Sequence, residues 1–161
     1  MRKIFGILLI TLPLLFTVCN CQQDKTASTI SESAFPKGKV LKSHNFTGKV
    51  WLKMMGASDS TLYASYGNVS FKPKARTNWH SHPGGQLLFI TQGVGYYQAK
   101  GEQARLLKAG DFVEIPPNVV HWHGAAPESE FAHIAVSLNT NLGGAAWQKA
   151  VSDQEYISAT N

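Results

Sequence analysis

From about residue 39 onward the chain is a succession of short runs rich in β-branched and aromatic residues, cut apart by Gly, Pro and Asn turn signals. That punctuation restricts the fold more than any other feature. The runs cover residues 48–54, 61–71, 76–82, 86–91, 94–99, 104–107, 111–115, 119–123 and 131–138. Gln92-Gly93, Lys100-Gly101 and Ala109-Gly110-Asp111 read as hairpin connections, and Gly67 as a kink inside the second run. Strands so short and so regularly spaced leave no room for the helices of βαβ units, and they predict an all-β sandwich or barrel. After a loop at 140–144, residues 145–156 predict one short helix lying against it. At 161 residues with 43% hydrophobic content, the chain can bury one good core but hardly two.

The N-terminus follows different rules. Residues 1–21 combine a positive start (Arg2, Lys3), an apolar run of about 15 residues containing Pro13, and then a break, which is the pattern of a secretory signal peptide. The run is too short for a permanent membrane span. Cys19 and Cys21 are the only cysteines, and they sit at the end of that run, where a bacterial lipoprotein carries its lipid. The sequence therefore divides into a signal peptide at 1–21, possible in its lipoprotein form, a polar linker at 22–36, a barrel at 37–140, and a C-terminal loop and helix at 141–161. The protein is expected to be exported, periplasmic or membrane-anchored, touching the membrane only through an N-terminal lipid. With no other cysteine, the domain cannot rely on disulfides.

Charge excludes one class of partner. Removing Arg2 and Lys3 with the signal takes the 15 basic residues to 13 against 10 acidic, so the net charge falls from +5 to +3. The remaining lysines are scattered singly, and none alternates with stacking aromatics, so nucleic acid is not expected as a partner. Nor is there a nucleophile elbow, phosphate loop or paired-cysteine motif.

The chemistry concentrates in Trp79-His80-Ser81-His82-Pro83-Gly84-Gly85-Gln86. On a strand, residues i and i+2 share a face, so His80 and His82 can present two imidazoles together. The Pro83-Gly84-Gly85 bend can return Gln86 to the same place, and His121, just beyond Pro116-Pro117-Asn118, is the candidate third imidazole. The joint spacing is His-x-His-x3-Gln-x6-Gly (to Gly93), then Gly-x5-Pro-x4-His (Gly110, Pro116, His121).

In these two motifs the sequence resembles the cupin superfamily over about residues 46–140. The resemblance implies a single-domain jelly-roll β-barrel with a divalent metal ion inside, held by His80, His82, Gln86 and His121. Two positions depart from the common pattern. Asn118 stands where glycine is usual, in a left-handed turn that Asn tolerates. Gln86 stands where most members have glutamate. Three imidazoles and an amide leave the 2+ charge unneutralised, which favours Lewis-acid chemistry on an alkoxide or oxyanion and disfavours iron redox chemistry. The donor set suits manganese, iron, nickel or zinc.

His133 lies in the apolar run FAHIAVSL, and if its face lines the barrel it is the best general base. His123, two beyond His121, either acts directly or supports its neighbours. Trp79, Trp122 and Phe89 are expected in the core or cavity wall. Arg76 and Glu114 are expected in surface ion pairs. Residues 46–51, 75–83, 85–86, 121–127, 133–135 and 151–156 are similar to the small bacterial cupins that include manganese-dependent hydroxynitrile lyases. That resemblance implies carbon–carbon lyase chemistry on a small-molecule substrate such as a cyanohydrin, with Mn2+ as the ion and His133 as base, and it allows a homo-oligomer. A cupin dioxygenase and an exported non-catalytic ligand- or metal-binding module are the alternatives.

Overall fold

The computed structural model describes residues 33–57 and 61–161. The signal peptide, Cys19, Cys21 and the linker up to residue 32 lie outside the described residues. The strands are β1 (Lys39–Val40), β2 (Phe46–Thr47), β3 (Val50–Gly56), β4 (Ser65–Phe71), β5 (Arg76–Thr77), β6 (His80–Ser81), β7 (Gln86–Ala99), β8 (Arg105–Lys108), β9 (Phe112–Ile115), β10 (His121–Ala125), β11 (Phe131–Ser137) and β12 (Ala146–Trp147), followed by helix α1 (Asp153–Thr160). All pairings are antiparallel, and the main path runs β1-β3-β4-β11-β7-β10-β5-β2. This is the expected all-β jelly roll with a short C-terminal helix.

The element that makes it a barrel is β7. Residues 86–99 form one strand of 14, where the sequence suggested two strands and a hairpin at Gln92-Gly93. Its first half pairs with β9 and β11, and its second half with β8 and β10. The register against β11 slips between Ala132 and His133, leaving Thr91 as an extra residue. Gly93 follows with φ of 70°. A bulge beside a left-handed glycine turns a strand from one layer into the other, and it uses the same residues as a hairpin would. A side chain at Gly93 would collide with the Glu130 carbonyl, so only glycine fits there. Gly67, read as a kink, lies within the unbroken β4.

Alternation along the strands fills the interior with Val50, Phe71, Leu88, Leu107, Val113 and Phe131. Phe89 does not join them. It alternates outward from Leu88 and Ile90 and is 46% exposed.

A second cluster, Trp79, Trp122, Val151 and Tyr156, lies under the C-terminal segment. The helix begins at Asp153, later than the sequence suggested. Ser152 accepts from the Glu155 amide while the Glu155 side chain accepts from the Ser152 amide, and this capping box fixes the first turn. Upstream, Ala146 and Trp147 are extended and pair with Ser81 and His80. Arg76 anchors the arrangement. It is 4% exposed, donates to the Val151 carbonyl from Nε (3.2 Å) and Nη2 (2.9 Å), pairs with Asp153 at 2.7 Å and lies 4.7 Å from the Tyr156 ring centroid. Arg76 is thus a buried anchor, not one half of a surface pair, because its partners arrive from the far end of the chain. Glu114 is exposed. Replacing Arg76 by Ala strips a buried carbonyl of both donors, and is expected to cost about 3 kcal/mol and lower the thermal midpoint by roughly 10 °C, measured by circular dichroism.

Candidate metal centre

His80 and His82 leave β6 on the same side. Gly85, with φ of 83°, turns the chain so that Gln86 opens β7 beside them. A side chain at Gly84 would run into the Leu138 carbonyl, so the bend packs tightly on the end of β11. The His82 carbonyl accepts from the amides of Gly85 (3.1 Å) and Asn118 (2.9 Å). That stitches the turn carrying the first two histidines to the turn before the third. Asn118 takes the left-handed conformation, φ 64°, in keeping with its role in place of glycine. His121 then pairs directly across from His80.

The three imidazoles meet. Ligand nitrogens of His80, His82 and His121 all lie within 4.8 Å of one another, and the His80 and His121 ring centroids are 4.2 Å apart. The Gln86 Oε1 lies 3.4 Å from His121 Nε2. His80 Nδ1 is 2.9 Å from the Asn78 carbonyl, and His121 Nδ1 is 2.9 Å from the Val119 carbonyl. A carbonyl can only accept, so both rings carry their proton on Nδ1 and keep a lone pair on Nε2. His82 Nδ1 lies 3.5 Å from the Ser137 hydroxyl, while its Nε2 is buried without a hydrogen-bond partner. Burial, chiefly, holds the His82 and His121 pKa values down at about 4 and that of His80 well below the ordinary range. All three are neutral at pH 7. Convergent, neutral, pre-oriented imidazoles with an orphaned Nε2 are what a divalent cation requires, so the residues present fit a metal ion.

His123 and His133 stand next to this cluster. His133 is fully buried, and its Nε2 lies 3.2 Å from His123 Nδ1. Among the described residues, His123 Nε2 and His133 Nδ1 are buried without a side-chain hydrogen-bond partner. Desolvation lowers the His133 pKa to about 3 and takes His123 down as well. His123 lines the cavity beside the cluster, and His133 sits behind it against Phe71 and Phe131. The cavity measures about 120 Å³. Apart from the histidines, Gln86 and Thr77, its wall is Leu41, Phe46, Leu52, Val69, Ala135 and Trp147. A wider groove of about 850 Å³ runs between α1 and the turn at 100–104. Among the described residues its lining includes no histidine, whereas the smaller cavity adjoins the cluster. Trp79 and Trp122 pack under α1, away from that cavity.

Sequence reasoning missed two neighbours of the cluster. Tyr97 faces His121 at 5.7 Å because it pairs with His123 across β7 and β10, a register the sequence does not reveal. Trp147 stacks on His80 at 4.6 Å and 27°, from a segment expected to be helical.

Residues 67–137 match the family model of the cupin domain. An (R)-mandelonitrile lyase from Granulicella tundricola is 38% identical over 112 residues, spanning 69% of this chain and 85% of that enzyme. The crystal structure of a cupin-like protein from Thermotoga maritima is 50% identical with a TM-score of 0.79, covering 81% of this chain and 98% of that one. A DMSP lyase from Ruegeria pomeroyi aligns with a TM-score of 0.54 at 17% identity, over 68% of this chain and 54% of the other, a likeness of fold alone.

Proposed function

Because the chain belongs to the cupin family, we propose that its histidine cavity is the active site of a manganese-dependent carbon–carbon lyase that cleaves small cyanohydrins. The observation that carries this reading is the set of three Nδ1-protonated or hydroxyl-backed imidazoles converging beside a small cavity. The similarity to a mandelonitrile lyase supports the reaction. His80, His82, His121 and Gln86 hold the ion, which supplies Lewis acidity towards a hydroxyl or carbonyl oxygen.

The chain's own residues do the rest. The apolar wall keeps water out and orients the substrate's carbon skeleton. His123, which lines the cavity, accepts the hydroxyl proton in place of the expected base His133, which sits behind it and holds its ring through the 3.2 Å contact. Loss of the hydroxyl proton lets the carbon–carbon bond break, giving an aldehyde or ketone and cyanide, and the proton held on the pair returns to cyanide. No proton is gained or lost overall. Gln86, being neutral, leaves the ion's charge available to the substrate oxygen in a way that a carboxylate would not. Independently of the reaction, the positive start and apolar run that end at Cys19 and Cys21 support export, with the protein periplasmic or tethered by a lipid at one of those cysteines.

The direct test is turnover of mandelonitrile by protein loaded with manganese, followed by benzaldehyde absorbance. Release of benzaldehyde above the rate of the metal-free protein is expected. Full manganese loading with no release contradicts the proposed reaction, and oxygen uptake with catechols would point instead to a dioxygenase.

A further inference from the structure

Trp147 lies far from both sequence motifs, yet it is part of the cavity. Its indole stacks on His80, at 4.6 Å between centroids, and leans on Phe46 at 5.4 Å. It lines the cavity on one side and is 37% exposed on the other, so it separates that space from solvent.

The backbone holds it there. Trp147 pairs with His80. The Gln148 amide donates to the Trp79 carbonyl at 2.8 Å, and the Trp79 amide to the Lys149 carbonyl at 3.1 Å. The side chain of Asn78 adds a bond to the Gln148 carbonyl at 3.3 Å. Beyond these, Arg76 fixes Val151. The other end of the strap borders open space. A side chain added at Gly144 would meet nothing within 4 Å, and one at Gly143 only the Pro83 ring at 3.7 Å.

We infer that Trp147 is the specificity-determining wall of the site, setting the largest substrate the cavity accepts. The inference rests on the reading that this cavity beside the histidine cluster receives the substrate. An apolar cavity of about 150 Å³ is known to hold one benzene ring, so the 120 Å³ here accommodates one ring or less. Among the described residues its wall away from the histidines and Gln86 is apolar but for Thr77, so that wall discriminates by size rather than by charge. The other apolar wall residues sit on β2, β3, β4, β11 or the segment before β2, where truncation opens space into the core. Truncating Trp147 opens the cavity outward, into solvent.

The test uses the cobalt-loaded protein, whose visible spectrum reports ligands at the cluster without any turnover. The probes are benzyl alcohol and 2-naphthalenemethanol, titrated into wild type, Trp147→Ala and the milder Trp147→Leu, each first checked for one cobalt per chain. Wild type should bind benzyl alcohol at least tenfold more tightly than the naphthyl alcohol. Trp147→Ala should reduce that ratio to within twofold, and Trp147→Leu should give an intermediate value. An unchanged ratio in both variants overturns the inference, and so does a wild-type spectrum that neither alcohol perturbs. Cyanohydrin turnover is scored separately. Size discrimination without turnover sinks the lyase reaction while the wall role stands, and turnover whose size preference ignores position 147 sinks the wall role alone.

Discussion

Replacing His80 by Ala should abolish binding of the proposed metal ion and lower the proposed lyase activity by about a thousandfold or more, some 4 kcal/mol of transition-state stabilisation. His80 is the hub of the cluster. Its ring is 4.2 Å from His121 and 5.3 Å from His82, and it is roofed by Trp147. Without it, two imidazoles and an amide remain, none charged, so no electrostatic attraction compensates for the missing donor. Disturbing only the partner of a ligating imidazole typically costs 10–100-fold in affinity, and removing the imidazole itself costs more. Elemental analysis after dialysis checks this. One manganese per chain is expected in wild type and less than a tenth of that in the variant. The fold should survive with reduced stability, because the Asn78 carbonyl loses its donor but no buried charge is stranded.

The second large effect is acid lability of the metal-free protein. Each buried histidine is depressed from its ordinary 6.5, to about 4 for His82 and His121 and about 3 for His133, mainly by desolvation. Above pH 6.5 both folded and unfolded chains hold these rings neutral, and the full stability is present. Below 6.5 the unfolded chain takes up protons that the folded chain refuses, so stability falls with pH until the folded values are reached. Each ring contributes about 1.4 kcal/mol per pH unit in that window. The three together remove about 4 kcal/mol by pH 5.5, and His80 and His123 act in the same direction. Since domains of this size hold roughly 5–15 kcal/mol, the metal-free protein should unfold cooperatively near pH 5. Bound ion keeps the imidazoles neutral and should move the midpoint lower. Fluorescence of the buried Trp79 and Trp122 reports the transition. A metal-free midpoint below pH 4 would contradict the assignment of neutral buried rings.

Much of this was legible in the sequence, for identifiable reasons. The pairing of His80 with His82 follows from the two-residue period of a strand, and the return of Gln86 from the Pro83-Gly84-Gly85 bend. Both are local. The convergence of His121 with them is not local, and it became readable only through the joint spacing of two motifs. Gln92-Gly93 was misread because a hairpin and a strand crossing between layers ask for the same glycine, and only the partner strands distinguish them. The helix start is written locally, since Ser152 and Glu155 spell a capping box, but the run at 145–156 does not separate it from the extended segment before it. Trp147 left no signal, since its role comes from β12 docking on β6 some 66 residues earlier in the chain. Arg76 likewise looked like a surface charge until the C-terminus returned to cover it.

The account depends on three imidazoles and one amide gripping a single ion. The most direct measurement is an anomalous-difference map from crystals grown with manganese and recorded on both sides of its absorption edge. One strong peak per chain, enclosed by His80, His82, His121 and Gln86, is the predicted result. A cavity with no peak, with manganese found only on surface carboxylates, would contradict it.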